Sequence, residues 1–261
     1  MSKLLAAEGG ALGLSPGVRR LLRRQPYLFA LLLLVIAVAI NYALQPNFFR
    51  PAALSGNLRT YLPLMLLATG QTIVVLAGGI DLSVGSIVSL TNVVVISAMG
   101  GAEAGAGQIA AAIALGLGAG ALAGALNGFC VAYLRFQPII TTFATSFLFS
   151  GLALTVMGSP GGSAPAGLQS AYASRPLGIP TAIWVALVLL LLWGLLRSTR
   201  YGRYLYAVGS NELAAYTSGV PVPLVRLSSY VLAGLLAGAT GLALVLSTGT
   251  ADPLIVEPMT L

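Results

Sequence analysis

Apolar residues in this chain gather into seven long runs, at about 26–44, 61–79, 82–99, 108–133, 139–157, 180–196 and 224–248. Several reach the roughly 20 residues that a helix needs to cross a bilayer. In lipid the backbone must satisfy its own hydrogen bonds, which a run of this kind does as helix. The pattern predicts an all-α, polytopic membrane bundle of about seven spans. The second and third runs are separated by two residues, Ile80 and Asp81. That pair reads either as two full spans or as two half-inserted segments, a broken or re-entrant element with the same end points. Between the runs, 158–179 (GSPGGSAPAGLQSAYASRPLGI) is rich in Gly, Pro and Ser and reads as an irregular, wet loop. The segment 197–223 is the longest polar stretch after the N-terminus.

Composition agrees with lipid as the main solvent. The chain is 57% hydrophobic and 7% charged, against about 25% charged in an ordinary soluble domain. So few charges would not cover a surface in water. The net charge of +7 does not point to nucleic acid, because the basic residues are scattered among apolar runs. It sets topology instead. With residue 1 in the cytoplasm, ten basic residues lie inside (Lys3, Arg19, Arg20, Arg23, Arg24, Arg135, Arg197, Arg200, Arg203, Arg226) and three outside (Arg50, Arg59, Arg175). That excess obeys the positive-inside rule, and the opposite orientation violates it. The run after the N-terminal arginines exceeds the 7–15 residues usual for a signal-peptide core and lacks a clear cleavage site, so it reads as the first span. The expected organisation is a cytoplasmic N-terminal segment, 1–25, followed by one transmembrane domain, 26–261. Cys130 is the single cysteine and there is no histidine, which removes an internal disulfide, histidine metal sites and histidine acid–base chemistry. No P-loop pattern of the form G-x-x-x-x-G-K-[ST] occurs.

In the fourth run Gly116, Gly120, Gly124 and Gly128 recur every four residues, along one face of a helix. Gly234 and Gly238 repeat the device in the last run. Such faces let two backbones approach closely, which is the main reading; the wall of a solute path is the alternative.

Six residues are acidic, and one of them, Asp81, stands between two apolar runs in LAGGIDLSVGS, 76–86. A charged Asp at the centre of a membrane helix costs roughly 2.5–3.5 kcal/mol, so it belongs at a break, an interface or a wet cavity. Gly78 and Gly79 supply the break. Asp81 and Ser83 then stand where an N-cap would accept from the free N–H groups of the next helix. Three readings follow: a capped helix start, the border of a polar solute's path, and a proton or cation relay, for which no other acid lies within a span.

In 201–223 (YGRYLYAVGSNELAAYTSGVPVP), Ser210 or Asn211 can cap a helix whose first turn holds Glu212 and which Gly219 and Pro221 end. The expectation is one short helix of about eight residues, around 12 Å long. It is either an ordinary interfacial helix or a docking knob, with Ala214 and Ala215 allowing close approach and Glu212 offering a charge.

The stretches ATGQTIVVLAGGIDLSVGS (68–86) and GRYLYAVGSNELAAYTSGV (202–220), with QPIITTFAT (137–145) between them, resemble the membrane permease subunits of bacterial ABC importers for ribose, xylose and related monosaccharides. The resemblance runs in order from about residue 26 to the C-terminus. It implies an inner-membrane subunit, N-terminus cytoplasmic, working as a homodimer or with a similar permease. Cytoplasmic ABC ATPase subunits carrying ATP-Mg dock beneath it, a periplasmic sugar-binding protein docks above, and the chain itself binds no cofactor or metal. It also implies a coupling element of the E-A-A-x-x-x-G type. Glu212, Ala214, Ala215 and Gly219 match it, with Leu213 inserted after the acid. Gly78, Gly79, Asp81, Ser83 and Gly85 match the family's GGIDLSVG segment, carried over as pathway or packing. Family members continue with more membrane helix past a segment like 251–261, so the expectation is a chain lacking its C-terminal helices.

The mechanism implied is alternating access driven by the partner ATPases, with no covalent chemistry on this chain. Gln71, Asn92, Asn127, Thr141, Thr142 and Thr145 are candidates to line a weakly binding sugar path, or to join helices by hydrogen bonds. The alternative function is an ion-gradient-driven secondary transporter of a small polar solute, which would want paired intramembrane charges. A membrane enzyme and a channel fit less well, the first for lack of a catalytic set.

Overall fold

The computed structural model describes residues 27–45, 47 and 50–255. The expected 1–25 segment, with its four arginines, and the tail from 256 lie outside the described residues. The chain divides after Leu54 into two separately packed units. The first carries α1, Tyr27–Leu44, an 18-residue helix rich in Leu, Ile and Val. The second carries α2 (Pro51–Leu76, from Ser55 onward), α3 (Val84–Met99), α4 (Ala106–Ala132), α5 (Pro138–Val156), α6 (Ala166–Ala173), a 3-10 turn at Pro176–Gly178, α7 (Thr181–Ser198), α8 (Arg200–Ser210), α9 (Glu212–Thr217) and α10 (Val222–Thr248). No extended strand occurs among the described residues; Gly161 and Ala251 form an isolated bridge.

Five helices among the described residues are long and apolar enough to cross a membrane, within α2, α4, α5, α7 and α10. The expected count of seven is therefore not reached by length. The run at 82–99 departs most. As α3 it has 16 residues, about 24 Å at 1.5 Å per residue, short of a hydrocarbon core of about 30 Å. Twelve of those residues are buried, and α4, α5 and α10 pack around it. Ile87, Val88, Val93, Val95 and Ile96 pack with Ala123 of α4, Phe149 and Ala153 of α5, and Ala237 and Val245 of α10.

The other boundary that moves is that of α2, which starts ten residues before the run expected at 61 and continues through Pro63. Proline removes the N–H that would bond the carbonyl four residues back. That carbonyl, Arg59 O, accepts instead from the Tyr172 hydroxyl of α6 at 3.0 Å. The 158–179 loop is consequently less irregular than its composition suggests, since α6 and the 3-10 turn lie within it.

The glycines of α4 face α10 and α3. A methyl group on Gly120 would run into the Gly234 carbonyl, one on Gly124 into the Tyr230 carbonyl, and one on Gly128 would come within 2.8 Å of the Leu227 carbonyl. At Gly116 it would meet the Val95 side chain of α3. Backbone thus lies against backbone along the α4–α10 seam, where nothing flexible is available to yield.

The second unit has two ends. One gathers the break at 77–83, the turn at 133–137 and α8–α9; there Gly78 lies against Gly209, and Thr142 near the start of α5 bonds the break. The other gathers 100–105, 157–180 and 249–255, tied by the Gly161–Ala251 bridge and by the Asp252 N–H on Asn92 Oδ1 at 2.9 Å.

Candidate coupling element and helix break

The polar stretch 199–221 folds as two helices, where the spacing predicted one. Thr199 Oγ1 caps α8 by accepting the Gly202 N–H at 3.1 Å. Leu205 and Val208 are buried one turn apart, giving α8 an inward apolar face that a scan for long runs does not register. Tyr201 lies alongside, its hydroxyl accepting from Ser228 at 3.0 Å. Burial raises the Tyr201 phenol above its ordinary pKa, against the lowering effect of that Ser228 contact.

Asn211, one of the two capping residues expected, caps α9: its Oδ1 accepts the Ala214 N–H at 3.0 Å. The helix has six residues rather than about eight, because a Schellman turn closes it early. The Val220 N–H reaches Ala215 O and the Gly219 N–H reaches Tyr216 O, both at 3.0 Å. Gly219 takes φ +82°, a left-handed conformation that glycine adopts without steric cost. Val220 and Ala215 then share one apolar cluster with Leu205, Val208, Val222 and Val225, and with Ile73 and Ala77 at the end of α2.

The residues that match the coupling motif therefore divide. Ala215 is buried and Gly219 shapes the turn. Glu212 spends its charge inside the chain, in a two-pronged pair with Arg226 of α10 at 2.9 and 2.7 Å. What α9 presents outward is Ala214, with Leu213 at 72% and Tyr216 at 67% exposure. Leu213 and Tyr216, with Glu212, border a cavity of about 570 Å³, whose other wall holds Arg135 and Phe136. Arg226 went unnoticed as a partner because fourteen residues separate it from Glu212 and no local spacing links them.

The break is built from the same turn. The Gly79 N–H reaches Val74 O at 2.9 Å and the Gly78 N–H reaches Val75 O at 3.0 Å, closing α2 with Gly78 at φ +75°. Gly79 is needed for a different reason: a methyl group there would lie 2.7 Å from the Tyr230 hydroxyl. Four backbone groups beyond it find side-chain partners from four directions. Ile80 O accepts from the Tyr230 hydroxyl at 3.2 Å, and Asp81 O from Gln71 Nε2 at 3.1 Å. The Leu82 N–H donates to Thr142 Oγ1 at 3.0 Å, and the Ser83 N–H to Asp81 Oδ1 at 2.8 Å.

That last bond corrects the expected cap. Ser83 stands at the N-cap of α3 with helical backbone angles and no side-chain cap bond. Its hydroxyl donates to Asp81 Oδ1 at 2.6 Å and accepts from Asn127 Nδ2 at 2.7 Å, while Asn127 Oδ1 accepts from Thr145 at 2.7 Å. The side chains thus form a buried chain from the break into α4 and α5, with Gly85 buried in the first turn of α3. Asp81 is 1% exposed, and its Oδ2, like Gln71 Oε1, is buried with no hydrogen-bond partner.

The remaining polar candidates do not converge on one cavity. Thr141 bonds its own helix at Gln137 O, and Asn92 joins α3 to α10 through Gly241 O at 3.2 Å. Asn92, with Asp252, sits away from the break, in the half of the bundle that holds the Gly161–Ala251 bridge.

A helical bundle with five helices long and apolar enough to cross a membrane, a polar break sealed inside it and a helix pair clasped to one end fits a membrane-embedded helical protein. Residues 53–261 match the family described as branched-chain amino acid transport system / permease component, and the chain belongs to that permease family. It is 38% identical over 230 residues to the ribose import permease protein RbsC of Escherichia coli (strain K12), covering 86% of this chain and 70% of that one. The Bacillus subtilis (strain 168) ribose import permease protein RbsC is 39% identical over 232 residues, with 87% and 70% covered. The D-allose transport system permease protein AlsC of Escherichia coli (strain K12) is 31% identical over 249 residues, with 88% and 73% covered. No solved structure matches significantly.

Proposed function

We propose that this chain is the transmembrane subunit of an ATP-driven importer that carries a monosaccharide by alternating access. The observation that carries this reading is the identity of 38% to a ribose import permease over most of the chain. The D-allose relative supports the same substrate class, a small polyhydroxylated sugar. ATP-Mg sits on separate cytoplasmic ATPase subunits, a sugar-binding protein delivers the solute from the periplasm, and a second permease copy completes the unit in the inner membrane. The N-terminus is cytoplasmic, as the distribution of basic residues favours, and 26–261 form the transmembrane domain.

The end of the bundle carrying α8–α9 faces the ATPase. It holds Arg135, Arg197, Arg200, Arg203 and Arg226, while Arg59 and Arg175 belong to the opposite end. Leu213, Ala214 and Tyr216 make the contact, because they are exposed on α9. Glu212 through Arg226, Ala215 by burial and Gly219 by its turn hold α9 in position for it. A secondary transporter would want a charge pair within the bundle. The ion pair found among the described residues, Glu212 with Arg226, lies at the rim instead.

Reconstitution with the ATPase and the binding protein encoded beside this chain tests the reading. Binding protein loaded with D-ribose, D-allose or another pentose or hexose stimulates ATP hydrolysis severalfold over the unloaded protein. A complex that assembles but answers to none of a full panel of loaded sugars contradicts it.

A further inference from the structure

The break at 77–83 and the helix pair α8–α9 are separate in sequence but share one set of contacts. Gly209, at the end of α8, lies directly on the end of α2: a methyl group there would run into the Leu76 carbonyl, and Gly78 faces the Gly209 Cα. Ile73 and Ala77 of α2 belong to the same apolar cluster as Leu205, Val208 and Ala215. A second connection runs through α10. Arg226 grips Glu212 at the head of α9, and Tyr230, one helical turn further along the same face, fills the notch left by Gly79 and donates to Ile80 O.

Close-packed contacts of this kind transmit displacement, since packed interiors shift between discrete arrangements rather than compress. Beyond Ile80 the buried chain Asp81–Ser83–Asn127–Thr145 carries the connection into α4 and α5. Two acceptors beside it, Asp81 Oδ2 and Gln71 Oε1, have no partner in this arrangement, so a second arrangement of the break has bonds to gain.

We infer that Tyr230 and Gly209 are positioning residues that carry the movement of α8–α9 to the break at 77–83. The inference rests on the docking reading above. It adds that the motor's stroke reaches the buried break through two named contacts.

The test uses the full complex of this chain with its ATPase in nanodiscs, in a Cys130→Ser background. A single spin label is placed at residue 80 (Ile80→Cys) or at residue 217 (Thr217→Cys), and spectra are compared with and without trapped ATP-vanadate. Trapping changes the spectrum at both positions. In Tyr230→Phe, which keeps the ring and removes the hydroxyl, the change at 80 falls at least threefold while the change at 217 stays. Gly209→Ala, which forces α8 away from the Leu76 carbonyl, has the same split effect. A full change at 80 in both variants overturns the inference, as does a response at 217 with none at 80 in the parent. Absence of any response at 217 in the parent instead overturns the docking reading, so the two failures are distinguishable.

Discussion

Helices α3 and α7 are nearly equal in length and both apolar, yet their surroundings are opposite. Twelve of the 16 residues of α3 are buried, whereas in the 18-residue α7 only Ala182 is. What separates them is not hydrophobicity. Through its middle α3 carries Ser86, Ser89, Thr91 and Asn92, while α7 is a run of Leu, Val, Ala and Trp with polar residues only at its ends. In water the more apolar helix would be the inner one. In lipid, apolar side chains have no reason to prefer protein over hydrocarbon, and small or polar residues mark the protein-facing helix. The same rule places glycine, rather than leucine, on the α4–α10 seam.

The contrast is broken most severely at that seam. Gly120→Leu drives a branched side chain into the Gly234 backbone, at a cost of about 3 kcal/mol. The variant is expected to lose its monodisperse peak in fluorescence-detected size exclusion. Gly118→Leu on the same helix, with nothing within 4 Å of its Cβ position, is expected to keep it.

Asn92→Leu on α3 leaves Gly241 O and the Asp252 N–H without their partner. Its expected cost is about 2 kcal/mol, read as a lower melting temperature in detergent. The Glu212–Arg226 pair is half-exposed at the rim and contributes at most about 1 kcal/mol to stability. Glu212→Arg is accordingly expected to melt near the parent while losing most of its ATPase on co-purification, and adding Arg226→Glu is expected to restore it. Least of all, Leu191→Ala on the outer face of α7, where Leu191 is exposed, is expected to shift stability by less than about 0.5 kcal/mol. An effect there as large as that of Asn92→Leu would remove the distinction between the two helices.

Much of this was legible in the chain. The apolar runs placed the cores of α2, α4, α5, α7 and α10, the glycine spacing placed the seam on α4, and Gly78, Gly79, Asn211 and Gly219 marked real turns and caps. Misreadings arose where distant residues decide the outcome. The run expected from 61 leaves out the first ten residues of α2, whose helix continues through Pro63 because Tyr172 supplies the missing bond from more than a hundred residues away. Of the three readings kept for Asp81 and Ser83, the helix cap takes another form: Asp81 accepts the Ser83 N–H and hydroxyl, and Asn127 holds Ser83. The spacing offered Glu212 as a free charge, and the fold pairs it with Arg226 while leaving it half-exposed. The contacts of Tyr230 and Gly209 with the break had no sequence signal at all, since a tyrosine and a glycine near helix ends are commonplace until the chain folds them onto it.

The claim on which docking, coupling and topology all depend is that α8–α9 lie on the cytoplasmic side of the membrane. Ser218 is exposed at the end of α9. A Ser218→Cys variant in a Cys130→Ser background, treated with a membrane-impermeant maleimide, tests it directly. The cysteine stays unlabelled in intact cells and labels fully once the inner membrane is permeabilised. Full labelling in intact cells would contradict the claim.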